Sequence, residues 1–247
     1  SLTNSLSYKE QRAFDQKLKD IEKMHQNPDN FYSFMIMKKN FDPKYIEKVV
    51  KKTLHNLNIA SKPAKLVYYL TLLNSYVGTS TLSISLCEEF LGINSRETGN
   101  KDRLIEKMGI CSSILMYVQI EEYTRYRGLR IVNQLIAQAC LTEFKLTYNL
   151  CKSEIILQLL KEDLFYETSL KKDKLIRDIQ TLLITRQRKE QGDELDTLFS
   201  PLIEAIQREE KSVESVLKEA CTRFKKNALI CQVLARYFYI KEKKFDL

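Results

Sequence analysis

The sequence predicts a mainly α-helical chain in three parts. A helical subdomain covers residues 1–60, a winged-helix subdomain with a small β-hairpin covers 61–150, and helical hairpins over 151–247 lead into a tetratricopeptide-like array. Three observations predict this. Only six Gly and four Pro occur in 247 residues, so turns are few and elements are long. Apolar residues recur at helical spacing through most of the chain. The interval from Thr81 to Val132 instead mixes short helical runs with β-prone ones.

Ser7 and Glu10 form a capping box that opens a helix from about Tyr8 to His25. Asn27-Pro28-Asp29-Asn30 breaks it, and the apolar run Phe31 to Met37 reads as a short buried helix. Asp42-Pro43 supplies an N-cap and a first-turn proline for a helix to about Leu57, with Tyr45, Ile46, Val49, Val50 and Leu54 on one face. Ser61-Lys62-Pro63 starts the next helix, Ala64 to Val77. It is apolar nearly all round and is expected at the centre, with Gly78 ending it as the C′ residue.

In the middle, Thr81-Leu82 reads as a short strand. Ser83 to Leu91 and Asp102 to Met108 read as short helices stopped by Gly92 and Gly109. Ile114 to Ile120 and Gly128 to Val132 have strand character, and Glu121 to Arg127 reads as the charged loop between them. Helix, short strand, two short helices and a hairpin is the order of a winged helix. Asn133 to Thr147 returns to helix.

The last hundred residues read as helix pairs. Leu175, Ile176, Ile179, Leu182 and Leu183 make one apolar face, and Arg186 to Asp196 is a charged loop. Ser200-Pro201 restarts a helix that buries Leu202, Ile203 and Ile206. Val213, Val216, Leu217, Ala220 and Phe224 form the next stripe. Asn227 caps a helix from Ala228 to Lys241 with Ile230, Val233, Leu234, Tyr237 and Phe238 on its inner side.

Composition narrows the chemistry. The six cysteines, at 87, 111, 140, 151, 221 and 231, form no C-x-x-C pair, so they read as reduced, mostly buried thiols of a cytosolic protein. No apolar run approaches the roughly 20 residues a membrane span requires, and no signal peptide opens the chain, so no membrane insertion is expected. The abrupt ends, without an initiator methionine, are those expected of a piece of a longer protein. No phosphate-cradling G-x-x-x-x-G-K-[ST] run occurs. The only histidines, His25 and His55, sit near expected helix ends. No catalytic centre, metal site or cofactor is expected in this chain.

Two basic features remain, consistent with a net charge of +8. Arg125, Arg127 and Arg130 are interleaved with Tyr123 and Tyr126, a pattern that on a wing contacts phosphates and a groove, so RNA is one expected partner. A solvent-facing hairpin or an interdomain contact accounts for the same residues. The helix in the recognition position carries Lys101, Arg103 and Lys107 beside Asp102 and Glu106, and these mixed signs suit phosphate attraction poorly. A second basic cluster, Lys171, Lys172, Lys174 and Arg177 with Arg186, Arg188 and Lys189, reads as a solubilising ridge.

Several stretches together resemble one family: Phe31 to Lys38, Leu72-Leu73-Asn74-Ser75-Tyr76-Val77, Phe90-Leu91-Gly92-Ile93, Thr197-Leu198-Phe199-Ser200-Pro201 and, most strongly, Ile230 to Lys241. The chain resembles the sterile alpha motif domain-containing protein nine family over essentially its whole length. Thr185 to Lys189 with Gly192-Asp193-Glu194 tilts the likeness towards the nine-like member. The resemblance implies large, interferon-induced cytoplasmic proteins, with endosomal association, that restrict poxviruses and slow growth by blocking translation. It implies a sterile alpha motif, an Alba-like effector domain with tRNA-cleaving activity, a signal-transduction-type P-loop ATPase, tetratricopeptide-like helices and an OB-fold. This segment would follow the ATPase core as a non-catalytic regulatory region. Its implied partners are the adjoining ATPase and repeat domains and viral antagonist proteins. In related ATPases a winged-helix His contacts the nucleotide phosphate. The matching position in Arg130-Ile131-Val132-Asn133 is Asn133, which can donate a hydrogen bond but cannot gain a charge, so a helix N-cap is the expected role beside nucleotide sensing.

Overall fold

The computed structural model describes residues 43–93, 103–121, 125–166, 170–187, 197–210 and 212–243. The expected helix over Tyr8–His25, the run Phe31–Met37 and the charged stretch from Arg188 to Asp196 lie outside the described residues. Among the described residues the fold is mainly helical, with one small sheet. In chain order the elements are α1 (Pro43–Leu54), α2 (Lys62–Tyr76), β1 (Leu82–Ser83), α3 (Ile84–Leu91) and α4 (Arg103–Met108). A 3-10 turn, Gly109–Ile114, leads into β2 (Leu115–Glu121), β3 (Arg125–Ile131) and α5 (Gln134–Tyr148). Then follow α6 (Lys152–Lys161), α7 (Leu170–Ile184), α8 (Pro201–Glu209), α9 (Val213–Arg223) and α10 (Ala228–Lys243).

α2 is the axis of the molecule. Ser61 accepts a hydrogen bond from the Ala64 N–H at 3.3 Å and caps it. From Ala64 to Ser75 every residue but Lys65 is buried, as its all-round apolar sequence requires. It packs against α5, α6, α7 and β3 together. Burial on every side favours protein partners for its polar groups, and among its fully buried polar side-chain atoms all but the Thr71 hydroxyl find one. Tyr68 donates to Gln158 Oε1 at 2.5 Å, and Ser75 Oγ donates to the Thr71 carbonyl at 2.7 Å. Burial also pushes the Tyr68 hydroxyl up to about 12, which keeps it a neutral donor.

Asn74 makes the connection that matters most. Its Nδ2 donates to the Ser80 carbonyl at 2.7 Å, and its Oδ1 accepts from the Ile131 N–H at 2.7 Å. One amide therefore holds both the chain entering β1 and the end of β3. The sheet it fixes is antiparallel with order β1-β3-β2, Leu82 opposite Leu129 and Leu115 opposite Ile131. At Gly128 a Cβ would lie 2.5 Å from Ile120 Cδ1 and 3.2 Å from Thr81 Cβ, so glycine lets Ile120 fold over the strand.

Three expectations change in detail, and one holds. Gly78 does not end α2 with a left-handed residue; Val77 N–H bonds the Leu73 carbonyl, and Asn74 pulls Ser80 back over the helix end. α1 stops at Leu54 because Asn56 turns the chain at φ 58°, and Tyr148 OH then donates to Leu54 O and accepts from Leu57 N. Gly109 stops α4 after Met108 as expected, in a left-handed conformation, and a 3-10 turn follows. The hairpin loop is shorter than expected: β3 begins at Arg125, directly opposite Glu121.

Charge joins the helices of the second half to one another. The first two backbone donors of α6, Lys152 N and Ser153 N, are held by the Glu210 carboxylate at 3.0 and 2.9 Å. At the other end Arg223 Nε donates to the Leu160 carbonyl at 2.7 Å. The same guanidinium bonds Asp163 and lies 4.5 Å from the centre of the Tyr166 ring. The buried side chains from Ile46 to Val233 form one continuous core.

Replacing Asn74 with Ala leaves a buried N–H and a buried carbonyl without partners. We expect a loss of about 2–4 kcal/mol in chemical denaturation. A value under half a kcal/mol would show that the clamp is not structural.

Candidate functional site: the hairpin and the helix that follows it

Successive residues of a strand point to opposite faces. Arg125 and Arg127 therefore share one face of β3 with Leu129 and Ile131, whereas Arg130 lies on the other with Tyr126 and Gly128. Arg125 is exposed and ion-paired with Glu121. Arg127 is exposed and holds its guanidinium 4.8 Å from the centre of the Tyr117 ring on β2. Arg130 is half-buried. Its Nε donates to the Ile131 carbonyl at 3.2 Å, and desolvation lowers its pKa. The three arginines thus give a two-residue tip patch and a separate, anchored third member.

Asn133 sits where β3 hands over to α5. Its backbone is extended, and its Oδ1 accepts from the Leu135 N–H at 2.6 Å, so it caps α5. Gln134 beside it donates Nε2 to the Ser75 carbonyl at 2.9 Å, which fixes α5 to the end of α2. The cap engages the side-chain oxygen of Asn133 in the fold itself.

In the basic cluster, Lys174 does not stand on a solvated ridge. Its ammonium lies 3.1 and 3.3 Å from the two oxygens of Asp178, and Ser80 Oγ donates to the same carboxylate at 2.7 Å. Asp178 and Ser80 are buried, and only 13% of the Lys174 side chain is exposed. This group joins the start of β1 to the middle of α7. Sequence reading passed over it, although one signal was present: Asp178 interrupts the apolar stripe of Leu175, Ile179 and Leu182. A carboxylate in such a stripe needs a partner, and Lys174 is one helical turn away.

Among the described residues no group of three or more His, Cys, Asp or Glu is placed to hold a metal ion, and no helix is long and apolar enough to cross a membrane. A cavity of about 630 Å³ opens at the α9–α10 turn, lined by Gln180, Arg223, Lys225, Lys226 and Leu229 among others, and includes neither the hairpin nor Asn133.

The chain is 53% identical over 247 residues to human sterile alpha motif domain-containing protein 9-like, and equally to the mouse protein of that name. It is 48% identical over 248 aligned positions to human sterile alpha motif domain-containing protein 9. The chain belongs to the sterile alpha motif domain-containing protein 9 family. The matches cover 99–100% of this chain but 16% of each relative, so the relatives carry much more sequence than is present here. No family model matches the chain, and no solved structure matches it.

Replacing Asn133 with Ala removes the cap of α5. We expect a loss of about 1 kcal/mol, with Asp at the same position retaining most of it, read as the midpoint of chemical unfolding. Equal losses for Ala and Asp would remove capping as the role of this residue.

Proposed function

We propose that this segment of the sterile alpha motif domain-containing protein 9 family is a non-catalytic relay. It contains a winged helix (α2, β1, α3, α4, β2 and β3), followed by helix pairs that begin a tetratricopeptide-like array. The resemblance makes its parent an interferon-induced, cytoplasmic antiviral and antiproliferative protein that inhibits translation. This segment would follow the P-loop ATPase and restrain or transmit its state, and viral antagonist proteins would be among the partners of the whole protein. The observation that carries the reading is the buried Ser80–Asp178–Lys174 group, which links the hairpin module to the helix pairs. A displacement at one is passed to the other through a bond that cannot slip without exposing a charge to an apolar core. Asn133, as a helix cap, supports a relay that works by contact more than by sensing a phosphate.

The relay reading predicts that the chain binds the adjoining ATPase segment with an affinity that changes at least about fivefold between nucleotide-free and nucleotide-bound forms, measured by titration calorimetry. It also predicts that the pure chain turns over neither ATP nor tRNA. Equal affinities in both states, or robust turnover, would remove it.

A second reading, RNA contact, rests on Arg125 and Arg127, which share the exposed face at the hairpin tip beside Tyr117. It predicts a mobility shift with tRNA or duplex RNA that weakens as salt rises and is lost in the double variant Arg125→Glu, Arg127→Glu. A shift unaffected by those changes would place RNA elsewhere on this chain, and no shift at low salt would remove the reading.

A further inference from the structure

The cavity of about 630 Å³ at the α9–α10 turn is used by neither the relay nor the hairpin. Its charged lining has one sign. Arg223, Lys225 and Lys226 supply cations, and no carboxylate lines it. Acids are not scarce on the same helix. Glu214 of α9 pairs with Lys218 and Lys241 at 2.7 and 2.9 Å, and Glu219 lies 4.0 Å from Lys161. Lys225 and Lys226 are exposed, and their ammonium groups have no ion pair or hydrogen bond among the described residues. Arg223 is fixed in place by the Leu160 carbonyl and Asp163. Gln180 closes the cavity from α7 with a half-buried amide that also has no side-chain hydrogen bond among the described residues. Phe224 and Leu229, the latter 53% exposed, add an apolar wall. α10 begins at the rim with no acidic residue in its first turn, so its helix end adds charge of the same sign.

We propose that this cavity binds a small, free organic polyphosphate, with its phosphates on Lys225 and Lys226 beside Arg223 and its carbon body against Leu229. Like charges crowded without a counter-charge repel one another, and a polyanion relieves that repulsion as it binds. Ammonium groups without partners are free to make charge-assisted bonds to phosphate oxygens. The Gln180 amide supplies a neutral donor from the opposite side. A cavity of this volume falls within the range of small-molecule sites, about 300–1,000 Å³. Three cations exceed the charge of a single phosphate, which favours a ligand with two or more. A nucleic-acid strand is followed by a basic groove along its length, whereas these cations converge on one turn. The inference is independent of the relay and RNA readings.

The test titrates the 247-residue chain with inorganic tripolyphosphate in a calorimeter at about 0.15 M salt, where exposed charges are screened beyond about 8 Å. One site per chain is expected, with orthophosphate bound about tenfold more weakly or worse. The double variant Lys225→Gln, Lys226→Gln is expected to lose about tenfold or more in affinity for tripolyphosphate. A second double variant, Lys48→Gln, Lys52→Gln on α1, removes the same charge from exposed positions outside the cavity. It is expected to change the affinity by less than about twofold. All four lysines are exposed, so both variants are expected to unfold at the wild-type denaturant midpoint. Absence of tripolyphosphate binding, or equal losses in the two variants, would overturn the proposal. So would single-stranded RNA that binds through Lys225 and Lys226 more tightly than tripolyphosphate.

Discussion

Burying one helix on all sides is the constraint on which the rest of the structure depends. Leu66, Val67, Leu70, Leu72 and Leu73 of α2 are fully buried. Five such side chains contribute on the order of 10 kcal/mol, comparable with the net stability of a typical domain. That drive is large enough to carry polar groups inside with it. An unpaired buried amide costs only a few kcal/mol, so burial would win even if Asn74 had no partner. Because Asn74 does have partners, the same burial that makes the core also places the sheet. Its two hydrogen bonds hold the chain entering β1 and the end of β3 against α2.

Within the helix pairs a different kind of interaction adds to the shared core. α6 is held at its N-terminus by a carboxylate, Glu210, and at its C-terminus by a guanidinium, Arg223. Both charges have the sign that opposes the helix dipole, so each satisfies orphan backbone groups while stabilising the field of the helix. Both come from the α8–α9 stretch. Beneath this clamp, Ser80, Asp178 and Lys174 make a buried polar junction between β1 and α7. This junction adds directional hydrogen bonds and an ion pair to the close-packed apolar core that spans the same boundary. The hairpin module and the helix pairs therefore keep a defined mutual position.

Much of this was legible in the sequence because caps and stripes are local. Ser61, Ser83, Asn133, Ser200 and Asn227 announce helix starts at which the structure does begin a helix. The apolar faces of α7, α8 and α9 were readable as helical periodicity. What was illegible depends on partners distant in sequence. Asn74 looks like any polar residue near a helix end until Ser80 and Ile131 are brought to it. Lys174 looks like one of several solvated lysines until Ser80 arrives beside Asp178. Arg125 and Arg127 looked like loop residues because charge dominates the segment, yet their alternation with Tyr126 was already a strand pattern with both faces near water.

The candidate site was legible in part for the same reason. The cap at Asn133 is local and was expected; the division of the arginines is not local, because it follows from strand register. With Arg130 on the opposite face from Arg125 and Arg127, the hairpin does not offer one continuous cationic surface from its three arginines. Two charges at a tip neutralise at most two phosphates, too few for the tight, sequence-independent binding that depends on many counterions released together. The tip carries the Arg127–Tyr117 contact, and the far end of β3 is held by Asn74. The Ile131 N–H bonds Asn74 of α2, and Ser80 ahead of β1 bonds Asp178 of α7. The hairpin is thus the exposed end of a connected path whose buried end lies among the helix pairs.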